Sequence, residues 1–403
     1  MERLQNDADR RDFISTGAAV GFGAAFGAPV GGVLFALEEA ASSWDSKLMW
    51  RTLTATTSAC FVLAISERFG APRVLGTRLE CGVGVNDTAR ELFQPGLLTF
   101  QAAATFGYPW ENFACIVIGV AGGLLGALFN RSHAAISRFR KRRLRGPFMQ
   151  ILEVAFLSLL TSSVMFGLSL YGSCRDVNVR GVPNVVCNTT DEPFRLQWAT
   201  ADGVPACDST EYNDMATALL VGQRRVIVSM MENPLRYSVI TQLAVGCTFF
   251  VLMTLSYGSA IPAGIFVPTI ASGACFGSLF GVGMEKLFRE YLLSSLGTGD
   301  LVSAAPYTLQ GAVALLGGVQ RSSLSLVVII LEGTGAVQQL LPIILTTVVA
   351  KWSGDLLHKV CACASTNSEL FGSLQLFENI HVSDSIFLSV LLLSCRAGSI
   401  PCP

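Results

Sequence analysis

Four stretches of this chain, near residues 52 to 69, 113 to 130, 151 to 171 and 238 to 257, are apolar for long enough to cross a bilayer as helices. Four more, near 13 to 39, 260 to 284, 305 to 332 and 337 to 357, are apolar but interrupted by Gly, Pro or polar residues. A helix that stops or starts inside a membrane frees backbone N–H and C=O groups, and these are tolerated only where protein or a water-lined cavity surrounds them. The chain is therefore expected to be all-α, a polytopic membrane protein with broken helices around a protein-lined interior. Composition agrees, because 51% hydrophobic residues, 14% charged residues and a mean hydropathy of +0.52 exceed what a soluble core needs. The lipid bilayer is thus the expected surrounding. A net charge of −1 and one dense basic run between two apolar segments argue against nucleic acid as a partner.

That basic run sets the orientation. Arg131, Arg138, Arg140, Lys141, Arg142, Arg143 and Arg145 lie between two spans with no acidic residue among them, which places this segment in the cytosol. By alternation, residues 70 to 112 and the long loop 172 to 237 face the lumen or exterior. Both carry glycosylation sequons, Asn86-Asp87-Thr88 and Asn188-Thr189-Thr190, in agreement with that side. The sequon Asn130-Arg131-Ser132 abuts the basic run, so no glycan is expected there. The outer loop holds Cys174, Cys187 and Cys207, which an oxidising lumen would allow to form one disulfide, with free thiols the alternative. Residues Met1 to Asp12 are too charged for a signal peptide, so targeting is expected from the membrane helices or from sequence outside this chain.

An internal repeat is visible without gaps. Setting Leu37-Glu38 on Leu331-Glu332 also places Gly17-Ala18-Ala19 on Gly311-Ala312-Val313, Gly23 on Gly317 and Val33 on Val327. Each copy reads as a small-residue helix, a break, and an apolar helix ending in glutamate. Inverted repeats meeting at broken helices are how many transporters build a midplane site. Chance likeness between two Gly/Ala-rich helices is the competing explanation.

Two segments carry the chemistry. Tyr257-Gly258-Ser259-Ala260-Ile261-Pro262-Ala263-Gly264-Ile265-Phe266-Val267-Pro268 leads into a small-residue helix from Thr269 to Gly283. The first turn of a helix has N–H groups without intrahelical partners and bears the positive dipole end, so it can hold an anion without a basic side chain. Several weak dipoles also let a permeating ion leave. A Gly/Pro-broken packing helix is the plainer reading of the same residues. The second segment, Gly27 to Glu39, is an apolar helix ending in the paired carboxylates Glu38 and Glu39. A carboxylate in a crevice gains proton affinity and can pass protons on. Two solvated carboxylates at a cytosolic helix end are the alternative.

Gly264-Ile265-Phe266-Val267-Pro268 resembles the GxFxP anion-selectivity motif of the CLC family of chloride channels and chloride/proton exchangers. Gly23 to Glu39 resembles the family's helix pair bearing the inner carboxylate. The likeness continues through Tyr307-Thr308-Leu309-Gln310-Gly311-Ala312 and Leu324 to Glu332 as far as Ala350-Lys351-Trp352. It implies chloride coordination by the amides of Ile265 and Phe266, within a site Gly264, Ile265, Phe266, Val267 and Pro268. Exchangers of this family keep a glutamate at the position of Glu39 as the cytosolic proton acceptor, where many channel members carry an apolar residue. The proton pathway is accordingly expected at Glu39, with Glu38 beside it.

Arg10-Arg11-Asp12-Phe13 and Leu37-Glu38-Glu39-Ala40-Ala41-Ser42-Ser43-Trp44 resemble the lysosomal and late-endosomal exchanger branch. The resemblance therefore implies chloride/proton antiport in a lysosomal, endosomal or vacuolar membrane by a homodimer. A passive voltage-gated channel is the nearest alternative, and a non-transporting partner of a full-length family member is another. No metal or cofactor is expected, since twelve cysteines without a CxxC pair and three histidines offer little for zinc. An enzyme is not expected either: HExxH, GxSxG and P-loop patterns are missing, and Gly21-Phe22-Gly23-Ala24-Ala25-Phe26 fails GxGxxG at its last position. The family's GSGIP-type and GKEGP segments, the latter holding the outer gate glutamate, do not occur in this sequence. Residues 1 to 360 are therefore expected to form an incomplete CLC-type transmembrane domain. Residues 361 to 403, with the short apolar run Ile386 to Leu393, read as a divergent tail in place of the last helix and CBS domains.

Overall fold

The computed structural model describes residues 7–41, 44–70, 111–143, 146–172, 174–176, 211–220, 223–232, 234–260, 264–296, 303–322 and 324–357. Its α-helices are α1 (Asp7–Phe26), α2 (Pro29–Phe35), α3 (Ser46–Gly70), α4 (Glu111–Arg143), α5 (Pro147–Ser169), α6 (Asp214–Leu220), α7 (Gln223–Glu232), α8 (Val239–Ser256), α9 (Phe266–Leu296), α10 (Ala305–Gln320), α11 (Leu324–Thr334) and α12 (Leu340–Leu357). One short antiparallel ribbon joins β1 (Cys174–Asp176) to β2 (Glu211–Asn213), with Cys174 opposite Asn213. Among the described residues the fold is all-α apart from that ribbon.

Among the described residues, five helical segments are long and apolar enough to cross a membrane: Ser46–Ile65, Glu111–Arg140, Phe148–Ser169, Val239–Ser256 and Phe266–Leu287. The first four coincide with the uninterrupted stretches of the sequence. The fifth follows the interruption expected within 260 to 284, which lies ahead of Phe266, and α9 then runs on through the small-residue helix expected from Thr269 to Gly283. Its glycines are contact points and not breaks. A Cβ on Gly277 would come within 2.4 Å of the Tyr307 carbonyl oxygen and 2.8 Å of the Gly311 Cα, so α9 and α10 touch backbone to backbone. Helix α10 lies among α4, α9 and α12 and is buried on all sides, from Pro306 to Val319. Its fully buried amide, Gln310, is satisfied internally: the Thr346 hydroxyl donates to Gln310 Oε1 at 2.9 Å, and Gln310 Nε2 donates to Gln339 at 3.4 Å.

From Arg131 to Arg143 the basic run is helical and forms the end of α4, and Pro147 opens α5 at a position where its missing N–H costs nothing. Part of the expected outer loop is likewise embedded. α6 and α7 pack toward α8 and α9, burying Met215, Leu219, Ile227 and Met230. Cys174 is disulfide-bonded, as one bridge in this segment would require, and its partner lies outside the described residues. Also outside them are Cys187, Cys207, the sequons at Asn86 and Asn188, and the whole segment 361 to 403 with Ile386 to Leu393. Asn130 is used inside the bundle, its Nδ2 donating to the Val319 carbonyl at 3.1 Å, in keeping with an unglycosylated sequon.

The repeat read from the sequence is a repeat of structure. α1 ends at Phe26 and α10 at Gln320, the same position in the register that sets Glu38 on Glu332. The next residue is left-handed in both copies, Gly27 at φ 66° and Arg321 at φ 63°. α2 runs on into a π turn, Ala36–Ala40, and stops where Thr334 ends α11. Shared small-residue composition alone would not reproduce the break, its handedness and both helix ends.

Candidate functional site

The anion motif is positioned from its two sides. Ser238 caps the start of α8 by accepting from the Thr241 amide at 3.1 Å, and α8 then runs to Ser256. After it the chain turns at Gly258, which has φ 74°. Ile261, Pro262 and Ala263 lie outside the described residues; the motif resumes at Gly264, exposed, followed by buried Ile265 and Phe266. Phe266 opens α9, whose first intrahelical bond runs from the Thr269 amide to the Ile265 carbonyl at 3.2 Å. The amides of Phe266 and Val267 belong to the first turn, where no carbonyl precedes them within the helix, and Pro268 supplies no N–H. A long helix thus directs its positive end at the segment the sequence selects for anions.

Phe266 also joins this motif to the first repeat. Its ring centroid lies 5.0 Å from Phe22 and 5.5 Å from Phe26 of α1, and 6.0 Å from Phe35 of α2. Phe22 and Phe35 stack at 4.0 Å. All four rings are buried. Glu38 and Glu39 follow Phe35 within the π turn, and both are exposed. The structure therefore brings the predicted anion residues and the predicted carboxylates to one assembly, separated by an aromatic wall one helical turn thick. π turns within α-helices occur frequently at functional sites.

Several residues that hold this arrangement are not legible from motifs. Arg140, read from the sequence only as part of the basic run, is buried and ion-paired with Glu153 of α5. Its guanidinium also donates to the Tyr257 carbonyl at 2.7 Å and to the Leu255 carbonyl. It thereby caps the last turn of α8, immediately ahead of Gly258, where a cation complements the negative dipole end. Glu153 thereby ties α5 to α4. The His133 ring lies 4.8 Å from that of Tyr257, and its Nε2 would be 2.8 Å from a Cβ on Gly258, so the turn before the motif is closed over by α4. Arg and Glu facing each other across the short α4–α5 connection were the available signal for the ion pair. Nothing in the sequence ties Arg140 to the carbonyls of α8. Among the described residues no cluster of three or more His, Cys, Asp or Glu could hold a metal.

A family model described as "Voltage gated chloride channel" matches residues 2–355. The "H(+)/Cl(-) exchange transporter 7" of Bos taurus is 35% identical over 361 residues, covering 88% of this chain and 40% of the relative. "Chloride channel protein C" of Dictyostelium discoideum is 30% identical over 358 residues, 88% of this chain and 43% of that protein. The chain spans less than half the length of these curated relatives. Among solved structures, that of a slow cyanobacterial Cl-/H+ antiporter superposes with a TM-score of 0.57 at 17% identity, covering 93% of this chain and 67% of that one. This last likeness concerns the fold. With the motif, the repeat and the helix order in agreement, the chain belongs to the voltage-gated chloride channel family, an integral membrane family.

Proposed function

We propose that this chain forms an anion pathway in which chloride is exchanged for protons. The observation that carries the reading is the contact between the α9 start and the first repeat: Gly264, Ile265, Phe266, Val267 and Pro268 lie at a helix N-terminus whose Phe266 packs on Phe22, Phe26 and Phe35, one turn before Glu39. Chloride is held by the first-turn amides, Ile265 and Phe266 foremost, through partial charges that let it leave again. Glu39, exposed at the cytosolic end of the π turn, takes up protons from that side, with Glu38 adjacent to it. The aromatic wall keeps the proton and anion routes apart at this level. The name of the Bos taurus relative, an H(+)/Cl(-) exchange transporter, supports exchange over passive conduction. The likeness to the lysosomal and late-endosomal branch supports placement in a lysosomal, endosomal or vacuolar membrane. The resemblance to the CLC family supports a homodimer, and the transporter name of the Bos taurus relative supports a transporter over an enzyme.

The test is paired flux in vesicles reconstituted with the chain, chloride by electrode and protons by a pH dye. Glu39→Ala is expected to cut proton movement about 100-fold, the scale of a removed proton-transfer group, with chloride movement retained. Equal proton flux in that variant would sink the assignment of Glu39. Chloride movement without protons in the parent chain would make it a channel, and movement only in the presence of a full-length relative would make it a partner subunit.

A further inference from the structure

Glu38 and Glu332 correspond in the repeat, and the fold brings each onto the other copy. Glu38 accepts from the Ser325 amide at 3.0 Å and from the Ser325 hydroxyl at 2.7 Å. Glu332 accepts from the Gly31 amide at 2.8 Å and the Val30 amide at 3.3 Å. In the repeat register Gly31 is the counterpart of Ser325. Each carboxylate therefore sits on the first turn of the other copy's helix, at the same position, and the two helices run antiparallel. They lie close: a Cβ on Gly31 would come within 2.6 Å of Ile329 Cγ1. First-turn amides lack intrahelical partners and bear the positive dipole end, so a carboxylate there makes charge-assisted bonds.

We propose that Glu38 and Glu332 are matched positioning carboxylates that lock the two repeats together, and that Glu38 holds Glu39 in place and does not itself carry the proton. The proton half of this proposal rests on the exchange reading above. One oxygen of Glu38, Oε2, receives both bonds from Ser325. Protonating that carboxylate would turn a charged acceptor into a weaker neutral one and loosen α11 at every turnover. Glu39 is the next residue on the same π turn, so anchoring Glu38 fixes the backbone of Glu39. One turn earlier it also fixes Phe35 against Phe266. The second repeat has Gly333 where the first has Glu39. It thus keeps the clamp without the adjacent carboxylate, as separable roles require.

Four variants of the full chain, E38Q, E38A, E332Q and E332A, separate the roles. Glutamine keeps an oxygen able to accept the amide bonds and cannot carry a proton, while alanine keeps neither capacity. Both alanine variants are expected to lower the detergent unfolding midpoint by a similar amount, about 2 °C or more. They should also slow chloride and proton flux together, leaving their ratio unchanged. Both glutamine variants should recover most of the midpoint and keep the parent's proton-to-chloride ratio. Loss of proton movement in E38Q with chloride movement intact would place Glu38 on the proton route and overturn the division of roles. Midpoints equal to the parent's in both alanine variants would overturn the clamp. A parent chain that moves neither ion would sink the exchange reading and with it the claim about protons, while the unfolding measurements still decide the clamp.

Discussion

The two repeats follow one backbone path and carry different side chains along it. In the first copy Phe22, Phe26 and Phe35 meet Phe266 at the start of α9; their counterparts in the second are Leu316, Gln320 and Ile329. The first ends in Glu38-Glu39 and the second in Glu332-Gly333. Between helices the first bends at a glycine, and the second bends at Arg321 with the same left-handed backbone. Features common to both copies, the break and the reciprocal carboxylate caps, are what holding two antiparallel half-helices together requires. Of the features found in one copy only, the aromatic wall touches Phe266 of the anion motif, and the extra carboxylate lies one turn beyond it. On the proposed reading, symmetry marks the scaffold and its violation marks the chemistry.

Substitutions at matched positions can break that division. The largest effect is expected from truncating the paired core residues. Phe35→Ala should cost about 3–5 kcal/mol and Ile329→Ala about 2–5 kcal/mol in unfolding experiments, since both are buried. Only Phe35→Ala should also change chloride flux per folded molecule. A comparable flux change in Ile329→Ala would show that function is spread over both copies.

A smaller contrast is expected at the bends. Gly27→Ala should lose about 1–2 kcal/mol, the cost of a Cβ in left-handed backbone. Arg321→Gly should stay within about 0.5 kcal/mol of the parent, because relief of that strain offsets the entropy of glycine. Equal losses at both sites in thermal unfolding would mean that the Arg321 side chain, not its backbone, holds the second bend. The smallest effect tests that side chain. Arg321 pairs with Asp355 of α12 at 3.3 Å, with the aspartate about half exposed, so Asp355→Asn should shift stability by less than about 0.5 kcal/mol. A loss above about 1 kcal/mol would sharpen the comparison differently, making the contact to α12 a specific requirement of the second copy.

Most of the fold was legible because hydrocarbon admits few alternatives. Four spans, the break after Phe26, the break after Gln320 and the repeat register all follow from where apolar runs persist and where Gly, Pro or polar residues stop them. The glycines of α9 were legible as part of a small-residue helix, but what they touch was not. Gly can end a helix or let another backbone approach it, and Gly277 does the second. The basic run was read for its side of the membrane, and its helical course as far as Arg143 was not legible. Charge governs orientation, while nothing in a string of arginines says where helix α4 ends or that Arg140 turns inward to Glu153.

The candidate site divides along the same line. By itself the sequence determined an all-α membrane chain, its repeat, the anion motif from Gly264 to Pro268 and the carboxylates Glu38 and Glu39, because each is a local pattern of residue types set by the bilayer or by backbone conformation. Only the tertiary structure decided that Phe266 meets Phe22, Phe26 and Phe35, that Arg140 caps α8 ahead of the motif, and that Glu38 and Glu332 bind each other's helices. Those pairings join residues up to 302 positions apart. Such contacts are set by how antiparallel half-helices pack, and packing leaves no periodic trace in a single chain's sequence.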